Sequence, residues 1–584
     1  MERGSSTLWQ AGGEAPLRPP APVRVVTDPE ARVAPRRHPL APVLRTPWLD
    51  VAVAGGLAAM ALLLALPTFG PTTIWRDDAW TALTIKTEGV SEFFLVAANA
   101  PGFAALLKGW VGLVGFDEWK AQLVPLLFAV ATPALFYGIL VWRGLERVAA
   151  AAGAFLLAVS PEFLVHAARL KQYTLDTFCV VGLLGLAWWL LDDVKSARRW
   201  RVVAAGGIVA LVLSSPSVLF LVAALGTGLI GLWLEDRSRL RVALPPIAVA
   251  GACTVLWWLL VLRPAVSPTL TSYWEASFVP IDNGPKDAAI ASVVAARRFL
   301  EGAVAIREAE AALVLFAGAY LIVLWRRALL GLLLLAPLGI AFVLAMLEIA
   351  PLGTGRTDIY LYPAVMAAVA VAVDALAREA RRATGIAVVA SAGLLLLNTP
   401  TPVYPIDDVA PLVAEVEARS SAADAIVAYP LAAFQVALYT NLPINFSRSD
   451  ETATGFRLRS PRENLSLPTE SWQRDPLNFA SAIKRVRKAN DSVWVIVTAR
   501  DDTIVFPTAP PGASATEQFV HYREASALPF RLRAIRDAFA VGDGPKARSI
   551  TVERYVDRLM RNAGYRKVGP VSLRTDASLT HWRR

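Results

Sequence analysis

About eleven apolar stretches, most of them near the roughly 20 residues that a helix needs to cross a bilayer, fill the first 400 residues. They lie near 50–69, 121–142, 148–165, 173–191, 201–214, 217–234, 243–262, 311–326, 329–349, 360–377 and 384–398. Such a succession marks a helical bundle solvated by lipid. Hydrophobic residues make up 55% of the 584, and the mean hydropathy is +0.47, above an ordinary soluble domain. The expected fold is a polytopic α-helical membrane protein.

The connections between spans test that reading. With a cytoplasmic N-terminus, the inside loops hold Arg143 and Arg147, then Lys195, Arg198, Arg199 and Arg201, then Arg237, Arg239 and Arg241, then Arg326 and Arg327, then Arg378, Arg381 and Arg382. The short outside connections are much poorer in Lys and Arg, as the positive-inside rule requires. The net charge of +10 is spread over these short groups and forms no continuous basic tract, so nucleic acid is excluded as a partner. Cys179 and Cys253 both fall inside apolar runs, where a thiol is a small buried hydrophobe. No disulfide framework or zinc site is encoded.

Three regions follow. Residues 1–48, rich in Pro and Arg without apolar periodicity, are expected to be a disordered cytoplasmic tail. The run Val51–Phe69 is followed by charge and not by a small-residue cleavage site, so it reads as an anchor. Residues 49–400 form the membrane region, with long outer loops at 70–120 and 263–307. The first loop carries the short pieces SEFFLVAANA and PGFAALLKGW, suited to the membrane interface. The second carries TSYWEASFVP and then a charged helical piece. An odd number of spans puts residues 401–584 outside. There the apolar runs shorten to DAIVAYP at 424–430 and SVWVIVTAR at 492–500, alternating with helix-like stretches at 408–420 and 551–563. This is the pattern of an extracytoplasmic α/β domain with a partly parallel sheet; PTAPPGASATE at 507–517 reads as an exposed loop.

The first outer loop contains IWRDDAWTA at 74–82. Carboxylates this close to a membrane are costly unless hydrated, paired or used. Asp77 and Asp78 read either as part of a hydrated loop, with Trp75 and Trp80 as an aromatic belt, or as carboxylates held beside a lipid-borne substrate, where one acts as a general base. Arg169, Lys171 and Tyr173 fall at the outer end of the third and fourth spans, and Arg356 sits in a GTGRTD turn. The three cations among them either snorkel at helix ends or neutralise a phosphate, Arg with bidentate geometry. His166 reads as a structural histidine more than a base. Asp176 is either paired with Lys171 or Arg169 or part of the site. Glu275 and Asp282 have no partner that can be named from sequence.

IWRDDAWTA resembles the aspartate-acid motif in the first outer loop of GT-C-type glycosyltransferases, in particular the family 39 group of protein O-mannosyltransferases and lipid A aminoarabinose transferases. NAPGFAALLKGWVGLVGFDEW, SPEFLVHAARLKQYTLDTF, GTGRTDIYLYPA and PIDDVAPLVAEVEARSSAADAIVAYP are similar to further features of that group in order and spacing, and together cover most of residues 50–430. The chain departs from the pattern at Asp78, where glutamate is more usual, at Arg169, where glutamate is frequent, and in NAPGF, which lacks a histidine before the proline.

The resemblance implies a GT-C-like membrane domain and a polyprenyl-phosphate sugar donor. It also implies inverting transfer to a glycan, lipid or protein acceptor on the outer face of the plasma membrane, with Asp77 catalytic. Residue usage typical of GC-rich bacteria makes mannose or arabinose the sugars to consider, hence a mannosyltransferase among the readings. No cofactor is implied; a divalent cation at Asp77 and Asp78, in the manner of oligosaccharyltransferases, is the variant reading. The alternatives of another class are a lipid or glycan transporter, which would show an internal repeat of interrupted helices, and a non-catalytic cell-envelope protein.

Overall fold

The computed structural model describes residues 47–584 apart from 71–72, 87–99, 264–273, 275–276, 280–283, 305, 307–308, 403–407, 449–455, 462–463, 469–474, 499–502, 507–547, 569–571 and 574–576. The expected tail, the SEFFLVAANA piece apart from its last residue, Glu275, Asp282 and the 507–517 loop therefore lie outside the described residues.

From the N-terminus the helices are α1 (Pro47–Ala65), α2 (Arg76–Lys86), α3 (Pro101–Val114), α4 (Glu118–Trp142), α5 (Arg147–Ala158), α6 (Pro161–Val165), α7 (Tyr173–Leu191), α8 (Ala197–Leu213), α9 (Ser217–Glu235) and α10 (Leu240–Trp257), the last ending in a π turn at Trp258–Leu262. Pro285–Ala303, Ala309–Arg326, Ala328–Met346 and Tyr362–Asn398 follow. Among the described residues seven helical segments have the length and apolarity to cross a membrane: Pro47–Thr68, Glu118–Trp142, Tyr173–Leu191, Ser217–Glu235, Arg237–Leu262, Ala328–Met346 and Ile359–Ala380. The protein is a multi-pass membrane protein. The other four expected spans are helical too, at α5 with α6, at α8, at Ala309–Arg326 and in the last part of Tyr362–Asn398. They are not all full spans, however: the 12 residues of α5 reach only about 18 Å at 1.5 Å per residue.

The basic residues at 378–382, expected between the last two spans, lie at a break: Ala380 (φ −138°, ψ 58°) is non-helical and divides the stretch Tyr362–Asn398 into two helices across a kink.

In the bundle α4 packs on α5 and α7, α7 on α8 and α9, and Tyr362–Asn398 along α5. The last contact is close: a Cβ at Gly153 would fall 2.9 Å from the Ala370 Cβ and 3.0 Å from the Met366 carbonyl oxygen, the small-residue contact typical of membrane helices. Asp50, inside the first span, takes both the Nε (2.6 Å) and Nη2 (2.9 Å) of Arg147 and the Tyr137 hydroxyl (2.9 Å), so the charge is paired as its setting demands.

Four helices end alike. Arginine guanidinium groups lie over Trp142 (Arg143, 5.0 Å), Trp189 (Arg199, 4.8 Å), Trp233 (Arg237, 4.0 Å) and Trp325 (Arg326, 4.7 Å). Ion pairs Arg143–Asp192 and Lys195–Glu235 tie the ends of α4, α7 and α9 together, and Arg326–Glu379 joins the end of Ala309–Arg326 to Tyr362–Asn398. The basic loops thus gather at the end of α4 that carries Trp142, while its other end meets the chain before α2 through Gln122, which accepts a hydrogen bond from the Gly70 N–H (2.9 Å).

The C-terminal region carries the strands. β1 (Ala425–Ala428), β4 (Leu465–Ser466) and β5 (Ser492–Thr498) are parallel, and β10 (Ala577–Arg583) runs antiparallel to β5, β8 (Arg566–Lys567) and β9 (Ser572–Leu573). The strand order of this six-stranded sheet is β4-β1-β5-β10-β8, with β9 on β10. The partly parallel sheet matches the expectation, and helices Ala410–Arg419 and Val552–Asn562 fall where helix-like stretches were read. The hairpins β2 (Asn445–Arg448) with β3 (Phe456–Arg459) and β6 (Thr503–Phe506) with β7 (Arg548–Thr551) stand apart from it.

Candidate active site

Arg76, Asp77 and Asp78 occupy the first turn of α2, and the Trp75 carbonyl receives the N–H groups of Asp78 and Ala79, both at 2.9 Å. Carboxylates suit this end of a helix, where unsatisfied N–H groups carry partial positive charge. Successive residues on a helix point about 100° apart, so the two acids meet different elements. Asp78 turns inward, is 0% exposed, and receives Arg169 Nε at 2.8 Å. Asp77 keeps 26% of its side chain exposed and receives Arg356 Nη1 at 2.9 Å.

Arg169 and Lys171 come from the turn between α6 and α7. Both are buried, and each cation lies over an aromatic ring of the IWRDDAWTA stretch: Arg169 over Trp75 and Lys171 over Trp80, both at 4.0 Å. Lys171 also reaches the Thr81 hydroxyl at 3.4 Å. The tryptophans read as an aromatic belt from sequence are thus the platforms on which two cations rest.

Arg356 is presented by a tight loop. Gly353 and Gly355 have φ of +71° and +72°, a conformation that favours glycine, and a Cβ at Gly355 would come within 3.0 Å of the Glu162 carboxyl carbon. The buried Asp358 carboxylate holds the loop, accepting from the Gly353 N–H (2.7 Å), the Thr354 N–H (3.2 Å) and the Thr354 hydroxyl (3.1 Å). The Arg356 guanidinium then lies 4.6 Å from the Trp274 ring centre.

Burial alone would push the Asp77 carboxyl up, but Arg356, Arg169, Lys171 and Arg76 together hold it below the ordinary carboxylate range. Burial pushes the Lys171 ammonium down to about 7, with Asp78 and Asp77 opposing. It also drives the His166 imidazole well below its usual value, helped by the neighbouring Arg169, Arg356 and Lys171. His166 is therefore neutral; its ring meets Tyr173 edge-on at 4.9 Å. Four cations face two carboxylates, which leaves the cluster able to take an anion.

A pH dependence follows from Lys171. A bound anion stabilises the protonated ammonium, so binding is strongest below pH 7, where the empty site already holds the proton. It weakens by up to tenfold per pH unit above 7, until the pKa of the occupied site is reached. A phosphodiester lipid, whose own charge does not change near pH 7, should show this loss between pH 7 and 8.5 in a titration, and Lys171→Met should flatten it.

The structure brings Asp77, Asp78, Arg169, Lys171 and Arg356 into one cluster, with Tyr173 in electrostatic reach of the same charges. Asp176 does not take the ion-pair reading. It is buried in the first turn of α7 beside Ser214, while Arg169 pairs with Asp78. The residue before α7 that could reach Asp176 is already engaged elsewhere, since Lys171 faces Trp80 and Thr81. Sequence reading gave no role to Trp274 or Asp358, because nothing in spacing marks a ring that covers an arginine or a carboxylate that closes a loop.

The cluster does not fit a divalent cation. Each carboxylate already receives an arginine N–H, and the surrounding cations would repel a second positive centre. Among the described residues no three His, Cys, Asp or Glu side chains converge to hold a metal.

No protein-family model matches the chain and no curated protein matches it. The chain is similar to the oligosaccharyltransferase of Archaeoglobus fulgidus in complex with Zn and sulfate (12% identity, 76% of this chain and 68% of that one, TM-score 0.43). It is similar to ArnT from Cupriavidus metallidurans bound to undecaprenyl phosphate (14% identity, 78% and 93%, TM-score 0.46). It is also similar to the mycobacterial arabinofuranosyltransferase AftD, of which it spans 41% (14% identity, 91% of this chain, TM-score 0.42).

Proposed function

We propose that this protein transfers a sugar from a polyprenyl-phosphate donor to an acceptor hydroxyl on the extracytoplasmic side of the plasma membrane. The observation that carries the reading is a pair of acids on one helical turn, one of them accessible, set among four cations at the end of the bundle away from the basic loops. The donor phosphate is held by Lys171, Arg356 and Arg169, with Tyr173 beside them. Arg356 has five N–H donors and gives one to Asp77, so it can hold phosphate and carboxylate together.

Asp77, accessible and ionised, accepts the proton of the acceptor hydroxyl as its oxygen bonds to the anomeric carbon. The bond from that carbon to the phosphate oxygen breaks, and its electron pair leaves with the lipid phosphate, whose growing charge the cations stabilise. In-line attack gives inversion. Asp78, inaccessible behind Arg169, serves by fixing that arginine, not by touching substrate. Mannose or arabinose on a long polyprenyl carrier are the donors to try first, with a glycan, lipid or protein acceptor.

The test is transfer by the purified protein in nanodiscs from a panel of radiolabelled polyprenyl-phosphate sugars to membrane-extract acceptors. Transfer is expected from at least one donor and is expected to persist in chelator. Absence of both transfer and lipid-phosphate binding across the panel would overturn the reading, and loss in chelator alone would replace the base mechanism with a metal-assisted one.

A further inference from the structure

The segment that leads into α2 is held from a distant part of the chain. Tyr439 and Gln435, on the helix Ala433–Tyr439 of the strand-bearing region, face Ile74, three residues before Asp77. The Tyr439 hydroxyl accepts the Ile74 N–H at 2.7 Å, and Gln435 Nε2 donates to the Ile74 carbonyl at 2.9 Å. Both backbone polar groups of one residue are thus satisfied by side chains more than 360 positions away.

A third bond runs from the Thr73 hydroxyl to Asp408 Oδ1 at 3.0 Å. Ile74 and Gln435 are both 0% exposed, so the Gln435 bond is shielded from water and costly to leave unmade, while the Tyr439 and Thr73 bonds are part-buried. The apolar side agrees: Ile74, Ala79, Ala82 and Leu83 share a buried cluster with Val409, Leu412, Ala433, Val436 and Ala437. Phe434 meets Trp80 edge-on at 6.1 Å, and Trp80 is the ring beneath Lys171.

We infer that Gln435 and Tyr439 are positioning residues: the strand-bearing region sets the placement of the acid helix, and through it the rate of the reaction, without itself touching the reacting atoms. The inference rests on the glycosyl-transfer reading only for its kinetic consequence. Its geometric part stands separately. The physical reason is leverage. Trp75 receives the first N–H groups of α2, so a shift at Ile74 is passed directly to the turn carrying Asp77 and Asp78. Misplacement of a reacting group by about 1 Å costs on the order of 10²-fold in rate. The groups facing Asp77 are Arg356 from the glycine loop, Arg169 and Lys171 from the turn before α7, and Arg76 from its own helix. All but Arg76 lie on elements that Ile74 does not belong to, so a displaced α2 moves Asp77 away from the charges that keep it ionised.

The experiment uses the full chain in nanodiscs with Tyr439→Phe, Gln435→Leu and, as the milder disturbance, Asp408→Asn. Tyr565→Phe removes an equally short hydroxyl bond within the strand-bearing region, to the Asn490 carbonyl at 2.8 Å, and serves as the control. In hydrogen exchange, Tyr439→Phe should speed exchange of the peptide containing Ile74 and the first turn of α2 by roughly tenfold or more, with helix α7 unchanged; Tyr565→Phe should leave it alone. In the transfer assay, Tyr439→Phe and Gln435→Leu should lower kcat by ~10- to 100-fold with KM for donor within a few-fold. They should also move the acidic limb of the kcat profile to higher pH, because Asp77 drifts back toward an ordinary carboxylate as its cations recede. Unchanged exchange at Ile74 in both variants overturns the clamp, whatever the activity. Changed exchange with wild-type kcat and pH limb overturns its control of the site. If the wild type itself transfers no sugar, the functional reading fails while exchange still decides the clamp.

Discussion

Asp77→Asn is expected to lower sugar transfer by roughly 10²–10⁴-fold, the contribution of a positioned general base, with the protein still folded and inserted. The two halves of that expectation have different physical grounds. Asparagine keeps the shape of the side chain and can still accept from Arg356, but it cannot take a proton, so the attacking hydroxyl loses its base. Stability should hardly change, because the Asp77–Arg356 pair is partly exposed, with 26% and 21% of the two side chains accessible, and pairs open to water contribute about 0–1 kcal/mol. The measurement is single-turnover transfer alongside thermal unfolding of the same nanodisc sample. A variant that retains robust transfer would remove Asp77 from the mechanism. One that unfolds would mean that the carboxylate serves the fold.

The base has a further property that its surroundings dictate. Because its pKa is depressed by Arg356, Arg169, Lys171 and Arg76 against the effect of burial, Asp77 stays ionised well into mildly acid solution, and transfer should not fall off until the pH drops below the ordinary carboxylate range. Arrival of an anionic donor opposes this, since a bound phosphate offsets the same cations. The acidic limb measured in the enzyme–substrate complex should therefore lie at higher pH than the limb of the free enzyme, a difference that comparison of kcat and kcat/KM profiles reads directly.

Much of this was legible in the residues, for reasons that differ from place to place. Span-length apolar runs announce themselves because lipid imposes one length on every crossing helix. The strands at 425–428 and 492–498 announce themselves because both are short, mostly apolar and contain β-branched Ile and Val. The adjacent acids at 77 and 78 stood out because charge beside a membrane needs a reason. What sequence did not show is pairing. Nothing in the spacing joins Asp78 to Arg169, 91 positions apart, or Asp77 to Arg356, 279 apart, since such partners are set by how whole helices pack. The tryptophans were visible as residues but not as supports: an aromatic belt and a cation platform have the same composition and differ only in what lies over the ring. The basic stretch at 378–382 was legible as well: its arginines flank Ala380, the non-helical residue at which the helix from Tyr362 breaks before the last apolar piece.

Removal of Arg169 separates structure from binding at this site. Arg169→Met deletes the guanidinium bonded at 2.8 Å to a carboxylate that is 0% exposed, and breaking a buried pair from one side costs about 3–5 kcal/mol. The outcome should fall near the lower end, because Lys171 lies in reach of Asp78 and is itself depressed partly by Arg169. Without that arginine the lysine holds its proton more firmly and takes up part of the load. Adding Asp78→Asn removes the stranded charge, so the double variant should recover most of the stability lost by the single one, a coupling that a double-mutant cycle in thermal or denaturant unfolding measures. Donor binding should behave differently. If Arg169 also holds the lipid phosphate, the stable double variant binds a polyprenyl-phosphate sugar less tightly than the wild type by a tenfold step or more, the weight of one charge-assisted hydrogen bond of about 1.5–3 kcal/mol. If its affinity is unchanged, Arg169 serves only to anchor α2 through Asp78, and phosphate recognition rests on Lys171 and Arg356.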